Sequence, residues 1–200
     1  MASDSAQPIE LVVGLGNPGA GHADDRHNVG YWFVEALASE LNLQWRDESR
    51  YKGEFARAQS GIRFLKPSTF MNLSGESVAA CANYFRIPVA GILIVHDELD
   101  LEPGVVRLKR GGGNGGHNGL RSIDSHLGDK NYIRARIGIG HPGSAKDVSA
   151  FVLSKPRTEE RDAINKAMGE LTAVFETLSL GQVDRAMNAL NRRAKKSGGA

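Results

Sequence analysis

Two hundred residues, 40% apolar and 24% charged, fit one soluble globular domain with room for a substantial core. No run approaches the roughly 18 uninterrupted apolar residues of a membrane span, so the chain does not read as a membrane protein. The single cysteine excludes an internal disulfide and a thiolate-rich zinc site, and a net charge of +2 says nothing by itself about a partner.

The opening MASDSAQPIE is polar and carries no basic residue ahead of a hydrophobic run, which predicts a disordered leader over residues 1–8 of a cytoplasmic protein. IELVVGL (9–15) is a short apolar run ending beside glycine and reads as a buried strand. From Asn28 the pattern changes to Val29, Trp32, Phe33, Ala36, Leu37 and Leu41, the inward face of a helix. EFARAQS (54–60) and IRFLK (62–66) read as a hairpin about Gly61, closed by Pro67.

Ser74 or Asn72 can cap a second helix that turns Val78, Cys81, Ala82 and Phe85 inward and ends before Pro88; Cys81 is then a buried apolar group. GILIVH (91–96) is a central strand, VVRLKR (105–110) an alternating one, 118–127 a helix and IRARIGIG (133–140) a further strand. Ile164, Met168, Leu171, Phe175 and Leu178 form the stripe of a helix over about 158–178, and Val183, Met187 and Leu190 repeat the pattern. The expected architecture is α/β: a single-domain, three-layer sandwich with a central mixed, twisted sheet and C-terminal helices, over residues 9–191, with 192–200 a loose basic tail.

GLGNPG (14–19) is literally G-x-G-x-x-G after a strand. Pro18 falls where a pyrophosphate would need an N–H, and the next helix starts only near Asn28, so the glycines read instead as a tight, exposed turn presenting Asn17. Five of the six histidines, His22, His27, His96, His117 and His141, fall at strand ends or loops, where an α/β sheet places its site. His27 has a candidate partner in Asp97: a carboxylate on one imidazole nitrogen leaves the other to take a proton from water. Asp97, Glu98 and Asp100 could alternatively form a solvated acidic turn, the reading preferred for the last two. A metal held by His96, Asp97 and another histidine stays open, without any signature spacing.

Residues 105–122 carry four cations, Arg107, Lys109, Arg110 and Arg121, with no acid, and six of the nine residues 111–119 are glycine. This is no Walker loop, but a basic strand feeding a glycine loop, with Asn118 at a helix start, suits phosphates and a polar acyl group. In TFMNLSG (69–75), Phe70 and Met71 offer an apolar wall and Asn72 an oriented amide.

Taken together, GLGNPG, RHNVG, KPSTFMNLSG, HDELDLEPG, GGGNGGHNGLRSI and RIGIGHPG closely resemble the bacterial peptidyl-tRNA hydrolase family in content and order, over most of residues 11–143. The resemblance implies hydrolysis of the ester joining a peptide, or an N-blocked aminoacyl group, to the 3′-terminal ribose of tRNA, which recycles tRNA from abortive translation. It implies a monomer with a helical lid, no metal or organic cofactor, no membrane and no obligate protein partner. It assigns His27 as general base, Asp97 as its support and Asn17 as the amide probing the scissile ester. Asn72 and Asn118 would hold substrate and water beside Phe70 and Met71, with His117 and Gly115 among the substrate contacts. Lys109 and Arg136 would grip tRNA phosphate with Arg107 as helper. Two positions depart from the family: His22 stands where a tyrosine is common, and Asn114 where some members have histidine or glutamate. An idle RNA-binding module would need Lys109 and Arg136 but not His27 with Asp97; a nucleotide-dependent oxidoreductase would need the doubtful fingerprint.

Overall fold

The computed structural model describes residues 7–197. The apolar run after Pro8 forms β1 (Leu11–Gly14), buried throughout, and a strand covered on both faces belongs in the middle of a sheet. It runs parallel to β4 (Arg63–Pro67) on one side and β5 (Ile92–Glu98) on the other, with Leu11 opposite both Arg63 and Ile92. β7 (Ile133–Gly138) continues the parallel series beside β5. Both margins are antiparallel: β3 (Gly53–Arg57) turns back on β4 about Gly61 and pairs with the short β2 (Arg46–Glu48), while β6 (Val106–Arg110) pairs with β7. The order is β2-β3-β4-β1-β5-β7-β6, a seven-stranded mixed sheet.

Alternation along β1 and β5 sends Val12, Leu93 and Val95 to one face and Leu11, Val13 and Ile94 to the other, so the sheet needs cover on both sides. The first face is covered by α1 (Val29–Glu40), α5 (Thr158–Ser179) and α6 (Val183–Ser197), the second by α2 (Ser74–Phe85) and α3 (Asn118–Leu127). This is the expected three-layer sandwich. A five-residue helix, α4 (Val148–Val152), lies between β7 and α5. The anticipated α5 stripe is buried from Ile164 to Leu178, each large apolar side chain contributing on the order of 1.5–3 kcal/mol.

Three local expectations change. On α1 the expected Val29, Trp32, Phe33 and Leu37 are buried together with Gly30, Val34 and Ala38, whereas Ala36 and Leu41 are exposed. The reason is Gly30: a Cβ there would lie 2.3 Å from Val95 O and 2.4 Å from Leu15 N, so the helix touches the sheet along the Gly30 line and the other two fall off it. Neither Ser74 nor Asn72 caps α2: Ser74 Oγ donates to Met71 O, and the free Gly75 N–H donates to Ser122 Oγ of α3 at 2.9 Å. The last helix runs to Ser197, so residues 192–197 of the expected loose tail continue it. Residues 1–6 of the expected leader and 198–200 of the tail lie outside the described residues.

Candidate active site

The carboxyl ends of β1 and β5 open into a cleft of ≈ 1020 Å³, where ligands of such sheets sit. His27 lies on a 3-10 turn (Arg26–Asn28) just ahead of α1, and its Nδ1 is 2.9 Å from both Oδ1 and Oδ2 of Asp97, near the end of β5. Nδ1 therefore carries the proton that Asp97 accepts, and Nε2 holds the lone pair. Burial works to lower the His27 pKa, but the charge and hydrogen bond of Asp97, with Asp25 further off, outweigh it and raise it above the ordinary 6.5.

His117 completes the cluster from the start of α3. Its Nδ1 accepts from the Gly119 and Leu120 N–H groups at 3.1 and 3.4 Å, so the ring caps the helix and bears its proton on Nε2. That Nε2–H donates to Asp97 Oδ1 at 2.9 Å. Burial alone would raise the Asp97 carboxyl; the His27 and His117 rings reverse this and hold it well below the usual carboxylate range. His27, Asp97 and His117 bring one possible ligand atom each within 4.8 Å of one another. A cation there would need the lone pair of His117 Nε2, which the α3 amides keep protonated, so the donor set suits shared protons and not a metal. His96 does not join: its Nδ1 donates to Asp97 O at 2.7 Å, and complete burial, with His117 beside it, pushes its pKa down to about 3.

Asn17 is not on an exposed turn, as the glycines suggested, but 7% exposed. Gly14 and Gly16 are buried because α1 presses on them: a Cβ on Gly14 would lie 2.3 Å from Gly30 O, and one on Gly16 2.7 Å from the Tyr31 ring. Asn17 is fixed from three directions. Its N–H donates to Asn28 Oδ1 at 2.8 Å, its C=O accepts from Asn28 Nδ2 at 2.9 Å, and its Oδ1 accepts from Met71 N at 2.8 Å. With Oδ1 engaged, the amide offers the cleft a donor, Nδ2.

The other expected groups line the same cleft: His22, Phe70, Met71, Asn72, Gly115 and Asn118. Phe70 is 59% exposed and ready to stack, whereas Met71 is buried under Gly119 and serves as floor. Asn118 begins α3 as expected, but the cap is His117, leaving the Asn118 amide at the surface. His22 Nδ1 is 2.7 Å from Asp25 Oδ2.

Arg107, Lys109 and Arg136 do not line the cleft. They share one face of the β6–β7 ribbon beside it, Arg107 opposite Arg136 and Lys109 opposite Arg134. Glu98 is no solvated bystander, since its Oε2 accepts from Arg136 Nε at 2.8 Å. Arg134, missed in the sequence, is buried and donates to Gly111 O and, at 2.7 Å, to Gly113 O, holding the glycine loop from below. Its parity with Arg136 was the available signal.

A family model described as peptidyl-tRNA hydrolase matches residues 11–198. The chain belongs to the peptidyl-tRNA hydrolase family. The peptidyl-tRNA hydrolase of Mannheimia succiniciproducens is 52% identical over 187 residues, covering 92% of this chain and 96% of that protein. That of an Azoarcus species is 48% identical over 190 residues, 94% of this chain and 87% of the other. The crystal structure of the Acinetobacter baumannii peptidyl-tRNA hydrolase matches with a TM-score of 0.90 at 45% identity, covering 95% of this chain and 97% of that one. Family membership therefore extends well beyond the motifs, through α5 and α6.

Proposed function

We propose that this chain hydrolyses the ester between a peptide, or an N-blocked aminoacyl group, and the 3′-terminal ribose of tRNA, with His27 as general base, and so recycles tRNA from abortive translation in the cytoplasm. The observation that carries the chemistry is His27 Nδ1 set 2.9 Å from both Asp97 oxygens, because this leaves Nε2 as the basic atom. Nε2 takes a proton from water; the hydroxide adds to the acyl carbonyl; the tetrahedral centre then expels the ribose oxygen, which recovers the proton from the imidazolium. Asn17 Nδ2 and the Asn72 and Asn118 amides stand at the cleft as donors for the carbonyl oxygen and the attacking water.

Arg107, Lys109 and Arg136 would take the acceptor-end phosphates outside the cleft, so affinity and chemistry sit on different elements. No helix among the described residues is long and apolar enough to cross a membrane. The enzyme is read as acting alone, as a monomer. Release of N-acyl amino acid from N-acylaminoacyl-tRNA, measured with and without chelator, tests the proposal. Undiminished release in chelator is expected; no release, or loss with chelator, would overturn it.

A further inference from the structure

Each residue of the turn that carries His27 holds a different wall of the cleft. His27 reaches β5 through Asp97, and Asn28 locks Asn17 by two hydrogen bonds. Arg26 reaches the third wall, α4 and the segment after it. Its N–H donates to Ser154 O at 3.1 Å. Its Nη1 faces Ser154 Oγ at 2.7 Å, Lys155 O at 3.0 Å, Ser154 O at 3.1 Å and Phe151 O at 3.5 Å. Its Nη2 donates to Glu160 Oε2 at 2.7 Å, in the first turn of α5, and the guanidinium lies 4.2 Å from the Phe151 ring centroid.

These contacts converge at the end of a short helix. Phe151 O, in the last turn of α4, already accepts from Ser154 N–H and Oγ–H, while Ser154 O and Lys155 O just past the helix take their bonds from Arg26, and a cation at this end opposes the helix dipole. Among the described residues, the hydrogen bonds leaving 144–157 for elements other than the adjoining α5 are those of Arg26 and an exposed pair, Lys155 with Asp24. Yet Val148, Ser149, Val152 and Leu153 line the cleft opposite the catalytic cluster. Arg26 is only 5% exposed; its Nε is buried without a partner, but Nη1 and Nη2 reach acceptors on both Ser154 and Glu160, which the planar fork spans and an ammonium would not.

We propose that Arg26 is a positioning residue for the hydrolysis: its guanidinium sets the wall formed by α4 and residues 153–155 at a fixed distance from the His27 imidazole, and thereby aligns the ester with its base. The proposal rests on the hydrolase reading above. A wall that drifts misplaces the reacting carbonyl without touching the phosphate grip or the His27–Asp97 pair. The defect belongs in kcat, and not in KM or in the titration of the base.

The test uses Arg26→Lys, which keeps the charge beside Glu160 but lacks the fork, and Ser154→Ala, which removes one acceptor from the wall side. On N-acylaminoacyl-tRNA, Arg26→Lys is expected to lower kcat about 10- to 100-fold with KM within about threefold of wild type. The acidic limb of the pH profile should stay in place. Hydrogen exchange should quicken over residues 148–155 and stay unchanged over 92–98. Ser154→Ala should give a smaller fall in kcat of the same kind, and it carries the test if Arg26→Lys does not fold. A kcat within about twofold of wild type in both variants, or exchange quickened equally in β5, would overturn the proposal. An inactive wild type would instead sink the hydrolase reading itself.

Discussion

His117 Nε2 donates to Asp97 Oδ1 at 2.9 Å, and the same oxygen lies 2.9 Å from His27 Nδ1. One buried carboxylate thus orients two imidazoles, and its charge is divided between them. Replacing His117 by Asn keeps an oxygen able to cap α3 but removes the second donor to Asp97. The His27 limb in the pH profile of kcat/KM is expected to move upward, because Asp97 then acts on His27 alone. The rate should fall no more than about tenfold if, as proposed, proton transfer stays with His27. A far larger loss would place the proton transfer on His117.

Turnover should depend on His27 directly. His27→Ala is expected to lower kcat/KM by about 10²–10⁴-fold while tRNA affinity stays within a few-fold, because in the proposed mechanism the imidazole moves a proton and neutralises no phosphate. Filter-binding and turnover on one preparation separate the two, and substantial residual hydrolysis would reject the assignment.

The raised pKa of His27 fixes the sign of two pH effects. The protonated His27–Asp97 pair contributes stability that is full below the unfolded pKa and is lost as pH rises through the higher folded value. Activity runs the other way, since the base works neutral, and its acidic limb should lie above the ordinary 6.5. In Asp97→Asn the charge that opposed burial is gone, so the limb should move down and the rate fall. A limb that does not move would reduce Asp97 to part of a structural turn.

Gly30→Ala tests the packing beneath the site. Its Cβ would meet Val95 O, Leu15 N and Leu15 O at 2.3–2.6 Å, all backbone, so neither strand nor turn can yield locally. Overpacking of this kind costs about 1–3 kcal/mol or more, and the turn leading to Asn17 should shift with it. Denaturant titration should show the loss of stability together with a lower kcat; an unchanged midpoint would mean that α1 does not press on this turn.

The cleft was legible in the sequence because its groups sit in short, dense motifs at strand ends, where periodicity breaks and polar residues cannot be explained by burial. His27, Asp97, Asn17, Asn72 and Asn118 all stand out in that way, and the structure gathers them in one cleft. Arg26 did not, because its side-chain partners lie 125 to 134 residues further along and leave no local pattern. The cap role of His117 was hidden by the habit of assigning caps to Asn, Ser, Thr or Asp, which favours Asn118 one residue later. Ala36 and Leu41 misled for a different reason: spacing marks an apolar face but not which line of it lies closest, and Gly30, with no side chain, decides that.

The division between grip and chemistry gives the last prediction. Lys109 and Arg136 stand on the β6–β7 ribbon outside the cleft, Lys109 exposed and Arg136 shared with Glu98. If both neutralise phosphate, replacing either by Ala should weaken tRNA binding and reduce the slope of log affinity against log salt by about 0.7–0.9 for each phosphate no longer neutralised, since fewer counterions are released. Lys109→Ala should show the larger change, because Arg136 must divide its charge between Glu98 and the phosphate. On an N-acylaminoacyl ester of a terminal nucleoside, which lacks the distant phosphates, wild type and both variants should share similar kcat/KM, with the defect appearing on full-length tRNA. Equal defects on the two substrates would mean that these cations act at the ester or hold up the sheet edge, and the phosphate-grip reading would then have to be dropped.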